Sequence, residues 1–417
     1  MTDKFLNLFA FIASKINIKV VFFAMIFIGT IFYVPPKYVN YIPENLYHYA
    51  HIYLKYFFFF MVIVLTIPVF VKRKFDVPIN KLVIILSLYV TLCLLSIVIN
   101  IDENTREAMI EFGFFTYYFI VLLLMLYTIK NNDHKILIYA LTGLVFYNSV
   151  ASYSNIIWGF GEISAFFENR VYLGCLSDIV STYLIILLFN EKSKVKKIFF
   201  SAGILLLFVN IILLVQRSVY LAYFFVITLV ILGTKNRRII IVGVLLCCIV
   251  GILFGTMMMK RVKREKMDVA NMSDIGRFLS LRGGFNMWKT HPILGVGYGT
   301  SKWKIDEYET FPFKLDGITF PIHNFFIQQL AETGFVGFIL CNTFNVVLLS
   351  ALIRRFKGKK NLVEECPYEL FYLIALCAYN INGMMHPINF REGYYWYLSA
   401  GAMILLRDNN DTNVDHL

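Results

Sequence analysis

The sequence has too little charge to clothe a soluble domain: Asp, Glu, Lys and Arg make up 16% of its 417 residues, against 59% hydrophobic and 17% aromatic. With a mean hydropathy of +0.67, the solvent that suits such a chain is a bilayer. Alternation is missing too. The apolar runs are continuous over roughly 17–22 residues, about what a helix needs to cross a ~30 Å hydrocarbon core, which excludes a transmembrane β-barrel. The cysteines, Cys93, Cys175, Cys247, Cys248, Cys341, Cys366 and Cys377, are odd in number and include no C-x-x-C. They fall mostly in or beside apolar runs and argue for packing, against a disulfide framework or a zinc site. No G-x-S-x-G introduces a serine hydrolase, no D-x-D suggests a nucleotide-sugar metal site, and no His or Cys pair has zinc spacing, so no metal is expected. There is no internal repeat and no low-complexity tract beyond Phe57, Phe58, Phe59 and Phe60. The first apolar stretch lacks a small-residue cleavage site and is expected to direct insertion itself.

What the sequence does contain is a series of spans, about twelve, expected near 19–34, 54–71, 82–100, 110–129, 135–154, 173–190, 197–215, 218–234, 239–258, 335–353, 369–386 and 394–407. The formal charge of +12 is split among short loops: Lys72, Arg73 and Lys74; Lys130 and Lys135; residues 192–197; Lys235, Arg237 and Arg238; and Arg354, Arg355, Lys359 and Lys360. So dispersed a charge is not a nucleic-acid surface. Every second loop is basic, while the intervening ones carry Glu44, Asp102, Glu103, Glu162 and Glu168. The positive-inside rule then puts both termini in the cytoplasm. The expected architecture is an all-α polytopic bundle: spans one to nine in 1–258, a large periplasmic loop at 259–334, three more spans in 335–407 and a cytoplasmic tail at 408–417. A loop that long without a span of its own is where function is expected.

Charge held at the rim of a bilayer is costly and therefore a functional lead. Arg217 lies within residues 215–219, the whole connection between two apolar runs, on the outer side. It can snorkel to headgroups, or its fork of donors can hold phosphate oxygens. In the long loop, residues 276–282 carry Arg277 and Arg282, and Trp288 precedes His291, Pro292, Gly295 and Gly297. Glycines after a proline read as a tight turn that backbone or ligand can approach. The run Val296, Gly297, Tyr298, Gly299 resembles a potassium-channel filter, but Lys289, His291 and Pro292 stand where a pore helix would have to be apolar. His323 and Asn324 open a short interfacial helix closed by Gly334, with Glu332 near its end. A His at the positive end of a helix dipole stays neutral, the form that accepts a proton; it can equally bond backbone at the interface. His386 is a lesser candidate on the outer side; His48 and His51 sit among tyrosines, and His134 and His416 are cytoplasmic.

Taken in order, Gln216, Arg217 and Ser218 with Leu221, then Gly276, Arg277 and Leu281, then His291, Pro292, Gly295 and Gly297, then His323, Asn324, Glu332 and Gly334, resemble the O-antigen ligase and O-antigen polymerase superfamily of lipid-linked oligosaccharide transferases. The resemblance covers about 215–340 in detail. Where that family often places Trp soon after its loop Arg, this chain has Leu281, which leaves Arg277 and Arg282 both open as the working residue; the distance to Pro292 favours Arg277. The resemblance implies a membrane glycosyltransferase of the bacterial inner membrane, active on the periplasmic face. It would move a glycan by inversion from undecaprenyl pyrophosphate to a hydroxyl acceptor, without a cofactor. Arg217 and Arg277 would meet the pyrophosphate, His323 would take the acceptor proton, and Arg282, Asn324, Glu332, Gly295 and Gly297 would bind or orient substrate. The implied partners are the lipid-linked oligosaccharide, a lipid-linked glycan or lipid A-core acceptor, membrane lipids and a chain-length regulator, with no nucleic acid. Polymerase is preferred over ligase only because a Phe-, Ile-, Lys- and Tyr-rich chain resembles products of surface-polysaccharide clusters; the motif spacings divide evenly between the two. A flippase would need two-fold repeats and ionisable groups at mid-span, whereas here only Asp178, Asn380 and Asn382 are polar within spans.

Overall fold

The computed structural model describes residues 81–129, 133–157, 170–214, 216–262, 269–309, 321–386 and 393–407. The expected spans at 19–34 and 54–71, the residues Glu44, His48, His51, Lys72, Arg73, Lys74, Lys130, Glu162, Glu168 and His416, and the tail 408–417 lie outside the described residues. Among the described residues every regular element is a helix: α1 (Lys81–Ile99), α2 (Thr105–Thr128), α3 (Lys135–Ile157), α4 (Arg170–Asn190), α5 (Lys194–Leu214), α6 (Arg217–Leu232), α7 (Arg237–Val262), α8 (Val269–Thr290), α9 (Ser301–Tyr308), α10 (Phe325–Arg354), α11 (Leu362–Glu365), α12 (Pro367–Gly383) and α13 (Gly393–Arg407). Of these, α1, α2, α4, α5 and α10 are long and apolar enough to cross a bilayer. The expected spans at 135–154, 218–234, 239–258, 369–386 and 394–407 fall on α3, α6, α7, α12 and α13, whose apolar stretches are shorter. Length and composition together therefore support five spans among the described residues.

The segment expected as a long loop is largely helical, since α8 and α9 both lie in it and α10 begins at Phe325, well before the expected span at 335–353. The interfacial helix and that span are one element interrupted at Gly334.

The centre of the bundle is aromatic. Trp396, Tyr395, Tyr379, Tyr372, Phe371, Phe344, Phe115 and Tyr89 are fully buried, and α13 is buried along nearly its whole length. Isoleucine, leucine and valine side chains of α1, α5 and α7, such as Ile84, Leu88, Leu205, Leu245 and Ile252, instead face outward, as suits helices bounded by lipid. Some polar groups within the core pair with one another: Tyr395 Oη donates to Asn345 Oδ1 at 2.7 Å.

The described basic connections gather at one end. Asn190 at the end of α4 donates to Val363 O (2.7 Å), and Leu362 N donates to Gly233 O, just past α6, at 2.7 Å. Arg355, past α10, donates to Leu406 O (2.8 Å), and Arg407 at the end of α13 donates to Leu126 O and Ile129 O at 2.6 and 2.9 Å. Helices α6, α10 and α12 each have one terminus there, so Arg217, the start of α10 and the end of α12 lie at the opposite end of the bundle.

Candidate active site

The break in α10 and the proline–glycine loop fit each other. In an unbroken helix the carbonyls of Ala331 and Glu332 would accept from the amides of Phe335 and Val336, one turn on. Gly334, at φ 62° and ψ −167°, opens that turn. Backbone groups left unpaired in a buried, membrane-spanning helix would be costly. The loop supplies all four partners: Val296 N donates to Ala331 O (2.8 Å) and Gly297 N to Glu332 O (3.2 Å), while Phe335 N and Val336 N donate to Pro292 O (2.8 Å) and Ile293 O (3.3 Å). Only glycine permits this approach. A Cβ on Gly295, at φ 70°, would stand 2.4 Å from the Glu332 carbonyl carbon, and one on Gly334 would stand 2.2 Å from Ile293 O.

Side chains close the clasp. Ser96 Oγ lies 2.8 and 2.9 Å from the Leu294 and Glu332 carbonyl oxygens. The Glu332 carboxylate, almost fully buried, accepts from Ser301 Oγ and from Gln328 Nε2 at 3.0 Å. Gly295, Gly297 and Glu332 are thus engaged with the protein itself, at the break that follows the beginning of α10.

Helix α8 lies against that beginning. Arg277, Ser280 and Gly284 share one face, spaced at i, i+3 and i+7. Gly284 lets Ile322 and Ile327 come so close that a Cβ there would stand 2.7 and 2.9 Å from them. Ser280 Oγ donates to Arg277 O (2.8 Å) and accepts from His323 N (3.4 Å), which holds His323 one turn from Arg277. Arg282 points elsewhere. It makes a two-pronged ion pair with the buried Glu309 carboxylate, just past α9, with its own side chain 57% exposed.

Asn324 caps α10, its Oδ1 accepting from Ile327 N at 3.0 Å, and its Nδ2 donates to Met384 O at 2.9 Å. One side chain thereby starts α10 and ties it to the turn that ends α12. In that turn Met384 and Met385 are exposed, at 53% and 47%, while His386 is buried at 7%. Arg217, half-buried, is the first residue of α6, which packs against α12. A cation at a helix N-terminus opposes the dipole, so helix stability does not account for it.

The electrostatics join these four residues. Burial, and after it the Arg277 guanidinium, pushes His323 from 6.5 down to about 4. Burial, then the charges of Arg277, His323 and Arg217, pushes His386 down to about 3. Both rings are neutral near pH 7. His323 Nδ1 is buried and has no hydrogen-bond partner among the described residues, a position that costs free energy unless a ligand completes it.

Residues 202–341 match the family model described as O-antigen ligase. The chain's likeness to the O-antigen ligase and polymerase superfamily holds over that third of its length. No curated protein matches the chain. The matched segment contains Arg217, Arg277, His323 and the backbone partners of the clasp; Ser96 and His386 lie outside it. Sequence reasoning ranked His386 low because nothing in its spacing links it to α10. The signal available was a lone imidazole following two methionines at the end of an apolar run.

Proposed function

We propose that this chain is an inverting glycosyltransferase of the bacterial inner membrane that moves an oligosaccharide from undecaprenyl pyrophosphate to a hydroxyl acceptor in O-antigen biosynthesis. What carries the reading is the convergence of Arg217, Arg277 and His323 at the end of the bundle away from the described basic loops. That end would face the periplasm if the basic loops are cytoplasmic. Two guanidiniums, always charged, suit a pyrophosphate leaving group whose negative charge grows as its bond to the sugar breaks. The acceptor oxygen bonds to the anomeric carbon, the carbon–oxygen bond to phosphate breaks with its electron pair, and the acceptor proton passes to His323. The activated donor supplies the driving force, so no cofactor enters the scheme. Gly295, Gly297, Glu332 and Asn324 act by holding His323 in place, and Arg282 by joining α8 to the end of α9.

The acceptor we favour is a second lipid-linked repeat unit, which makes the chain an O-antigen polymerase; with lipid A-core as acceptor it is an O-antigen ligase. The lipopolysaccharide banding pattern separates them, in a deletion strain complemented with wild type, Arg217→Ala, Arg277→Ala or His323→Ala at matched expression. Core bearing a single repeat denotes a polymerase, and bare core with accumulating lipid-linked polymer a ligase. If all three variants restore the wild-type ladder, the catalytic reading is wrong and a flippase becomes the better account.

A further inference from the structure

His386 is placed with more care than a loop residue needs. Met384 N donates to Asn380 O and Ile381 O (3.1 and 3.2 Å) and Met385 N to Asn382 O (3.1 Å), so the turn after α12 is closed by its own hydrogen bonds. Gly383 lies against Phe325, the first residue of α10, where an added Cβ would be 3.4 Å from Phe325 Cβ. The Asn324–Met384 bond then fixes this turn beside His323. The orientation within the turn runs against hydropathy, since two methionines face outward and the imidazole is turned in. Burying a polar ring costs free energy unless a partner repays it. Arg277, His323 and Arg217 all act on that ring electrostatically.

We infer that His386 is a second catalytic imidazole, a neutral donor whose ring N–H binds the pyrophosphate leaving group between Arg217 and Arg277 while His323 takes the acceptor proton. The inference rests on the transferase reading above and adds a residue that the resemblance does not supply. Two guanidiniums offer donors and repel a third cation, so an imidazole beside them keeps one N–H and one lone pair. An anion entering between the arginines meets that N–H as a further donor. His386 neither gains nor loses a proton: the hydroxyl proton goes to His323, and the bond from carbon to the phosphate oxygen breaks with its electron pair on the oxygen that His386 donates to.

The test uses the full chain in lipid nanodiscs, with undecaprenyl pyrophosphate as the binding probe and lipid-linked oligosaccharide as substrate. His386→Ala is expected to weaken probe binding and slow transfer by about 10- to 100-fold, the effect of losing a hydrogen bond to a charged group. His386→Gln or His386→Asn, whichever puts its amide N–H where the ring had one, should recover most of both, with the apparent affinity for acceptor unchanged throughout. Met385→Ala, on the exposed neighbour, should behave as wild type. The inference is overturned if His386→Ala binds the probe and transfers like wild type, or if neither amide variant recovers anything although all fold with wild-type thermal midpoints. If wild type itself does not bind the probe, the transferase reading falls together with this one; if it binds and only the His386 variants are indifferent, this inference alone falls.

Discussion

Arg277 and Arg282 stand five positions apart on α8, so they project about 140° from each other around the helix axis and have different neighbours. Arg277 shares the face of Ser280 and Gly284 and acts on His323, whereas Arg282 pairs with Glu309. Arg277→Ala is expected to slow glycan transfer by about 100-fold or more, the usual scale for removing a donor aimed at developing charge. Arg282→Ala removes an ion pair to the buried Glu309 carboxylate, away from His323, and should leave initial rates of the reconstituted protein within about fivefold of wild type. The histidines make a second prediction. Both are held below the ordinary imidazole value, so the unfolded chain takes up protons before the folded one does. Stability should fall as the pH drops from 6.5 toward about 4 for His323 and about 3 for His386. Thermal midpoints measured across pH 7 to 4 should show a shallower fall in His323→Gln than in wild type; an equal slope would contradict the assignment. Arg217, Arg277 and His323 stand out in the sequence as candidates because charge and imidazole beside apolar runs are conspicuous. His386 stands out less, since its burial in the turn after α12, which the Asn324–Met384 bond ties to the start of α10, involves residues distant in the chain.

The helical break at Gly334 shows which parts of an element a sequence reveals. A helix that opens at His323 and Asn324 follows from residue type and position, and in the structure Asn324 caps it while Gly334 takes a positive φ within it. The continuation of α10 through the glycine does not follow, because a glycine that stops a helix and one that interrupts it look alike. What decides between them is whether another segment restores the four lost hydrogen bonds, and residues 292–297 do so. The helices α8 and α9 inside the expected loop were missed for a related reason: charge of both signs hides helical periodicity that is satisfied by packing on α10. Gly334→Ala should be severely destabilising. Its φ of 62° and ψ of −167° lie in a region that is nearly glycine's alone and cost roughly 1–3 kcal/mol for a residue with a Cβ, and the Cβ would also meet Ile293 O at 2.2 Å. The yield of monodisperse protein after detergent extraction should drop several-fold against wild type, while an unchanged yield and midpoint would show that the clasp can open without cost.

Across the whole molecule, the separation of the described basic connections from the site is the property that composition and loop charge anticipated best. Spans as such were less legible: α6, α12 and α13 are shorter than the five candidate spans, and α12 and α13 are buried by neighbouring helices over most of their length. That arrangement puts α12 against α4, α6 and α10, so one central helix leads to His386 at the end of the bundle where Arg277, His323 and Arg217 all act on it. The most direct test of this account is release of undecaprenyl pyrophosphate from lipid-linked oligosaccharide by the purified protein in nanodiscs, measured with and without added acceptor. The account predicts acceptor-dependent release by wild type and by Arg282→Ala, and release reduced to background by His323→Ala and Arg277→Ala. Equal release by His323→Ala and wild type would contradict it.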